Sequence, residues 1–166
     1  AIRAGIDTIE HASLIDEEGL RLAKERGTFL SMDIFNTEFT QSEGKATGAL
    51  EENLRKDREV AQVQRDNFRR ALQMGVRHVF GSDAGVMPHA TAGGQFATMV
   101  RFGMTPLQAI QAATINAAEA LGRKGQVGVL EPGAWADIVA VRGDPLNDIA
   151  ELADVDAVVK GGALVE

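Results

Sequence analysis

The chain has 166 residues, 45% hydrophobic and 25% charged, the balance of a soluble globular protein with room for one real core. No stretch approaches the ~18 apolar residues of a membrane span, and Arg3, Asp7 and Glu10 interrupt any apolar run that could act as a signal peptide. A formal charge of -7 without a basic run argues against nucleic acid as a partner, and the absence of cysteine excludes disulfides and thiolate metal sites.

Residues 1–5 read as the last turn of a helix with Gly5 as its cap, so the chain is expected to begin inside an element and to be a fragment. Residues 6–11 (Ile-Asp-Thr-Ile-Glu-His) alternate and are β-branched, which predicts a strand. Asp16 caps a helix over 17–26 that Gly27 ends, and 28–34 is a second strand. The polar stretch 36–48 reads as a loop, long enough to serve a site. The longest helix covers 50–74, with Leu54, Val60, Ala61, Val63, Phe68, Ala71 and Leu72 as its apolar stripe and Gly75 as its cap. Arg58, Arg65, Arg69 and Arg70, interleaved with Glu59 and Asp66, read as its solvated face. Residues 76–81 form a third strand, followed by Ser82-Asp83-Ala84-Gly85. Strands alternating with helices predict a parallel sheet.

Three helices follow: 94–102; 107–113, opened by Thr105-Pro106; and 117–121, capped by Asn116 and closed by Gly122. Beyond Gly122 the pattern changes to short strands at 136–141, 155–160 and 163–165, with Gly161-Gly162 as a two-residue hairpin loop and Trp135 in the core of this unit. The boundary falls between a unit at 1–122 and a unit at 123–166.

His11 and Asp83 stand at the C-terminal ends of predicted parallel strands, where α/β barrels place their active sites. Imidazole nitrogen and carboxylate oxygen are good ligands for a borderline divalent metal, and a carboxylate can also shuttle a proton from water to a leaving amine. Each also has a plain structural reading: a hydrogen-bonded histidine at a strand end, and a turn whose aspartate caps backbone amides. Two ligands do not hold a catalytic metal alone. His78, at the start of its strand, reads as structural. His89, a few residues past Asp83, is a candidate substrate contact or a surface histidine.

Four blocks resemble the amidohydrolase superfamily: Glu10-His11-Ala12; Phe80-Gly81-Ser82-Asp83-Ala84-Gly85; Thr105-Pro106-Leu107-Gln108-Ala109-Ile110 with Ala113-Thr114-Ile115-Asn116-Ala117-Ala118; and Gly128-Val129-Leu130-Glu131-Pro132-Gly133-Ala134-Trp135-Ala136-Asp137-Ile138-Val139. Within it the chain is most similar to the imidazolonepropionase-like and Xaa-Pro dipeptidase-like branch of zinc carboxypeptidases and dipeptidases, on Ser31-Met32-Asp33-Ile34, the loop after it and Met87-Pro88-His89.

The resemblance implies the C-terminal portion, about strands six to eight, of a metal-dependent hydrolase (β/α)8 barrel, plus part of a small β-sandwich. It implies a zinc site with His11 as the sixth-strand ligand and Asp83 as the eighth-strand ligand and catalytic carboxylate. The family's strand-one histidine pair, carboxylated lysine and strand-five histidine have no counterpart here. The expected activity is hydrolysis of amide bonds in small substrates such as dipeptides or N-acyl amino acids. Hydrolysis of a cyclic amide is the alternative. With an incomplete barrel, the chain by itself is expected to be an inactive remnant, or a subunit needing the missing N-terminal barrel half. A homo-oligomer and a cytoplasmic location are further expectations.

Overall fold

A computed structural model describes residues 1–165. Its first sheet is parallel and has three strands, β1 (Thr8–Glu10), β2 (Phe29–Ser31) and β3 (His78–Val79), in that order. The register pairs Ile9 with Leu30, Leu30 with His78 and Ser31 with Val79. As the central strand, β2 is paired on both edges, so Phe29, Leu30 and Ser31 are all buried. The paired segments are shorter than the sequence predicts, at both ends of each strand.

Helix α1 (Glu17–Arg26) connects β1 to β2 and begins and ends as predicted. The Asp16 carboxylate accepts from the Gly19 amide at 2.8 Å, and Gly27 takes the left-handed conformation that lets its N–H reach the Ala23 and Lys24 carbonyls. The connection from β2 to β3 differs from expectation. Its polar first part is a helix, α2 (Asn36–Glu43), not a loop. Local composition does not favour it; polar contacts to the next helix, α3 (Glu51–Met74), decide it. Thr37 donates to Asp57 at 3.1 Å, and the Gln41 amide donates to Asp57 at 2.6 Å and to the Leu54 carbonyl at 3.0 Å.

The buried face of α3 also corrects the expectation. Val60 and Val63 are exposed, while Leu54, Ala61, Gln64, Asn67, Phe68 and Ala71 are buried. Two polar side chains therefore lie in the stripe, and each has a partner. Asn67 donates to the Ser13 carbonyl at 2.9 Å, and Gln64 reaches Asp33. Arg65 likewise leaves the solvated face. It is mostly buried, pairs with Glu38 and lies over the Phe102 ring at 5.0 Å. Core packing centres on Leu20, Leu30, Met32, Ile34, Phe68 and Met99.

Helices α4 (Gly94–Arg101), α5 (Pro106–Ala113) and α6 (Ile115–Ala120) follow. Thr105 and Gln108 form a reciprocal capping box at the start of α5. Asn116 is not a cap: α6 begins one residue before it, and its side chain donates to the His78 carbonyl at 3.0 Å, tying α6 to β3. The second sheet is antiparallel, with β4 (Ile138–Ala140), β5 (Ala157–Lys160) and β6 (Ala163–Leu164) in that order. Gly161 and Gly162 both have positive φ, 57° and 84°, as the tight hairpin requires. A 3-10 turn that the sequence reading did not anticipate (Ile149–Ala153) packs on α4 so closely that a Cβ at Gly93 would meet Ala153 Cα at 2.8 Å. Trp135 is exposed and not in a core; its ring carries the Arg123 guanidinium at 5.2 Å. No helix among the described residues is long and apolar enough to cross a membrane.

His78 is structural, as its position at the start of a strand suggests. It is 3% exposed and meets Phe68 edge-on at 5.0 Å. Its Nδ1 donates to the Val76 carbonyl at 3.0 Å, and Nε2 is buried with no partner. Burial pushes the pKa down to about 4, against the weaker pull of the Val76 carbonyl. The folded pKa lies below the ordinary 6.5, so the unfolded chain binds the proton more readily. Stability is full above pH 6.5 and falls as the pH drops toward 4, by about 3 kcal/mol at about 1.4 kcal/mol per unit. Urea unfolding of His78→Gln is expected to show a flatter pH dependence in that window than the unsubstituted protein; equal slopes would contradict this assignment.

Candidate metal centre

The site is built at the C-terminal edge of the parallel sheet. His11 follows β1 directly and donates its backbone amide to the Ser31 carbonyl at 2.8 Å. Asp33 lies just beyond β2, and Asp83 in the turn after β3. Parallel strands end side by side, so residues distant in sequence become neighbours. His11, Asp33 and Asp83 each offer a ligand atom, and these atoms all lie within 4.8 Å of one another.

The backbone marks the same place. Among the described residues only His11, Ala12 and Asp83 are non-glycine residues with positive φ, at 60°, 48° and 51°. Such conformations cost of order 1–3 kcal/mol each and concentrate at functional sites. Here they turn the chain sharply as it leaves the strands.

Asp33 is the member that sequence reading missed. Its side chain is 9% exposed, against 58% for His11, and its Oδ1 lies 3.0 Å from His11 Nδ1. Gln64 donates to Asp33 Oδ1 at 3.4 Å, and the Asn36 amide donates to Asp33 Oδ2 at 3.3 Å and to Asp83 Oδ2 at 3.1 Å. The available signal was the pair Gln64 and Asn67 inside an otherwise apolar stripe, since buried amides need partners. Burial works against protonation of His11, yet its pKa is raised, because Asp33 and, more weakly, Asp83 and Glu10 favour the cation.

The structure thus brings together the two predicted ligands and adds a third group. His89 opens a short 3-10 turn (His89–Thr91), is exposed, and is not among the groups that converge. The donor set suits a borderline divalent ion: one imidazole nitrogen and two carboxylates, with no competing cation among them. With Nδ1–H directed at Asp33, a neutral His11 presents Nε2 as its free ligand atom, the arrangement in which a carboxylate orients a metal-binding histidine.

The Amidohydrolase family model matches residues 1–165. The chain belongs to the amidohydrolase family. This amidohydrolase chain is 35% identical to an ochratoxinase of Aspergillus niger, over 99% of its own length and 35% of that protein. Among solved structures it superposes on a Xaa-Pro dipeptidase with bound methionine in the active site (TM-score 0.92, 40% identity), and on a prolidase complexed with N-methylphosphonate-L-proline (TM-score 0.91, 34% identity). In both cases it is covered completely and spans 41% of the other chain. Its fold is that of the C-terminal portion of amidohydrolases. A shorter match, 45% identity over 69 residues, relates it to an imidazolonepropionase of Geobacillus kaustophilus.

Replacing Asp33 by Asn keeps the shape and removes the charge beside His11. In the metal-free protein, an NMR titration of Asp33→Asn is expected to show the His11 pKa lowered; an unchanged value would remove Asp33 as the group that holds it up.

Proposed function

We propose that this chain carries part of the active site of a metal-dependent hydrolase of amide and peptide bonds in small substrates such as dipeptides or N-acyl amino acids. The observation that carries the reading is the convergence of His11, Asp33 and Asp83 at the C-terminal edge of the sheet in a member of this family. The substrate class leans on the relatives, two of which are described as dipeptidase or prolidase structures and one as ochratoxinase.

His11 and Asp83 would hold the ion, with Asp33 orienting His11 through Nδ1. Zinc is the ion we assign, since nitrogen and carboxylate donors suit it. When bound, it supplies Lewis acidity toward the amide carbonyl and toward water. Asp83 takes the proton from the attacking water, so that hydroxide adds to the carbonyl carbon. As the C–N bond breaks, Asp83 returns that proton to the departing nitrogen. His11, fixed in one tautomer by Asp33, keeps Nε2 free as a ligand atom while Asp83 cycles between its two protonation states. His89 is assigned to the substrate end, on its place in the loop beyond Asp83. The remaining ligands, and the other part of the barrel, would come from sequence beyond these residues or from a partner chain, because the chain spans about two fifths of its structural relatives.

In the complete protein, Asp83→Asn is expected to lower kcat by at least about a thousandfold with the melting temperature preserved, as removal of an essential proton carrier does. Turnover within about tenfold of the unsubstituted enzyme would reject the role. Incubation with a strong chelator should abolish hydrolysis of Xaa-Pro dipeptides and N-acetyl amino acids, and added zinc should restore it. Activity that survives complete metal removal would end the metallohydrolase reading.

A further inference from the structure

We propose that Asn36 is a positioning residue of this site: its side-chain amide ties Asp83 to Asp33 and sets the direction of the Asp83 carboxylate. The proposal rests on the hydrolase reading above for its consequence, though not for its geometry.

One nitrogen, Asn36 Nδ2, donates to Asp83 Oδ2 at 3.1 Å and to Asp33 Oδ2 at 3.3 Å. The other end of the amide, Oδ1, accepts from the Thr40 hydroxyl at 3.2 Å. Ionised carboxylates can only accept, so the nitrogen must face the two aspartates. Asn36 is the first residue of α2, and that helix is braced. Glu38 holds Arg101 at 2.7 Å and Arg65 at 3.4 Å, and Thr37 holds Asp57. The chain on either side of Asp33 is pinned as well. Gln95, 0% exposed, accepts from the Phe35 amide and donates to the Met32 carbonyl, both at 2.8 Å. Gly94 lies so close to the Phe35 ring that a Cβ there would meet ring carbons at 2.5 Å. The Asn36 amide is therefore delivered from a fixed backbone.

The chemistry of the group matters as much as its place. Two carboxylates drawn together repel each other, and a bridging donor relieves that repulsion. A lysine or arginine would do so too, but would compete with a metal ion for the same oxygens. A carboxamide bridges the pair while leaving its charge intact. It also fixes the direction of Asp83 through Oδ2 while leaving lone pairs on both carboxylate oxygens for other partners.

A purely structural role would change the melting temperature and leave the Asp83 carboxylate in place. The helix N-terminus favours negative charge at its first position, but Asp there would set a third carboxylate against Asp33 and Asp83. Asn36→Asp is therefore expected to lower kcat about 10- to 100-fold with KM little changed, the range seen when a supporting partner is lost. Asn36→Ala should behave alike in kcat. Its crystal structure should show the Asp83 carboxylate turned away from Asp33. Turnover of Asn36→Asp within about twofold of the unsubstituted enzyme overturns the proposal. So does an Asp83 carboxylate that stays in place in Asn36→Ala, whatever the rate. If the unsubstituted protein hydrolyses no amide in the panel, the hydrolase reading falls, and the Asp83 position in Asn36→Ala still decides Asn36.

Discussion

A carboxylate sits almost fully buried at Asp33, and the surroundings of the site follow from the need to satisfy it. An ionised group taken out of water costs several kcal/mol unless it is paired and hydrogen-bonded. Asp33 meets that demand with His11 on one oxygen, Gln64 beside it and Asn36 on the other oxygen. These partners come from the end of β1, from α3 and from the start of α2. Satisfying one charge therefore fixes three elements against the C-terminal edge of the sheet, where the family's chemistry is done.

The cost of this arrangement is visible around it. Helix α3 buries two amides where an apolar stripe would have packed more simply, and α2 forms from a segment with little helical preference. Two members of the site, His11 and Asp83, and the adjacent Ala12 hold left-handed backbone conformations without being glycine. Features of this kind weaken a fold unless the rest over-determines them. The rest here is a core centred on Leu20, Leu30, Phe68 and Met99, together with capped helices that need no help from the site.

The same environment separates two histidines of one sheet. His11, half-exposed beside carboxylates, is held above its ordinary pKa. His78, at the start of β3 and packed on Phe68, is held down to about 4. Charge nearby favours the protonated ring and burial disfavours it, so the first takes up a proton more readily than an ordinary histidine while the second is a neutral packing residue.

Much of this protein was legible in the sequence because it is local. The β-branched run before His11, the Asp16 cap, the Gly27 and Gly75 stops and the Gly161-Gly162 turn each act over a few residues, and the elements they mark are present. The ordered motif blocks were enough to point to the family that the comparisons establish, and they singled out His11 and Asp83 as ligand candidates. The helix at 36–43, the inward turn of Gln64 and Asn67, the exposure of Trp135 and the use of Asn116 as a tie to His78 were not legible. Each depends on a partner at least thirteen residues away, or on the lack of one. The sequence alone determined the order of strands and helices other than α2 and singled out His11 and Asp83 beside two of the strands. Only the tertiary structure decided that Asp33 joins them, because proximity across a parallel sheet comes from strand register and not from spacing along the chain.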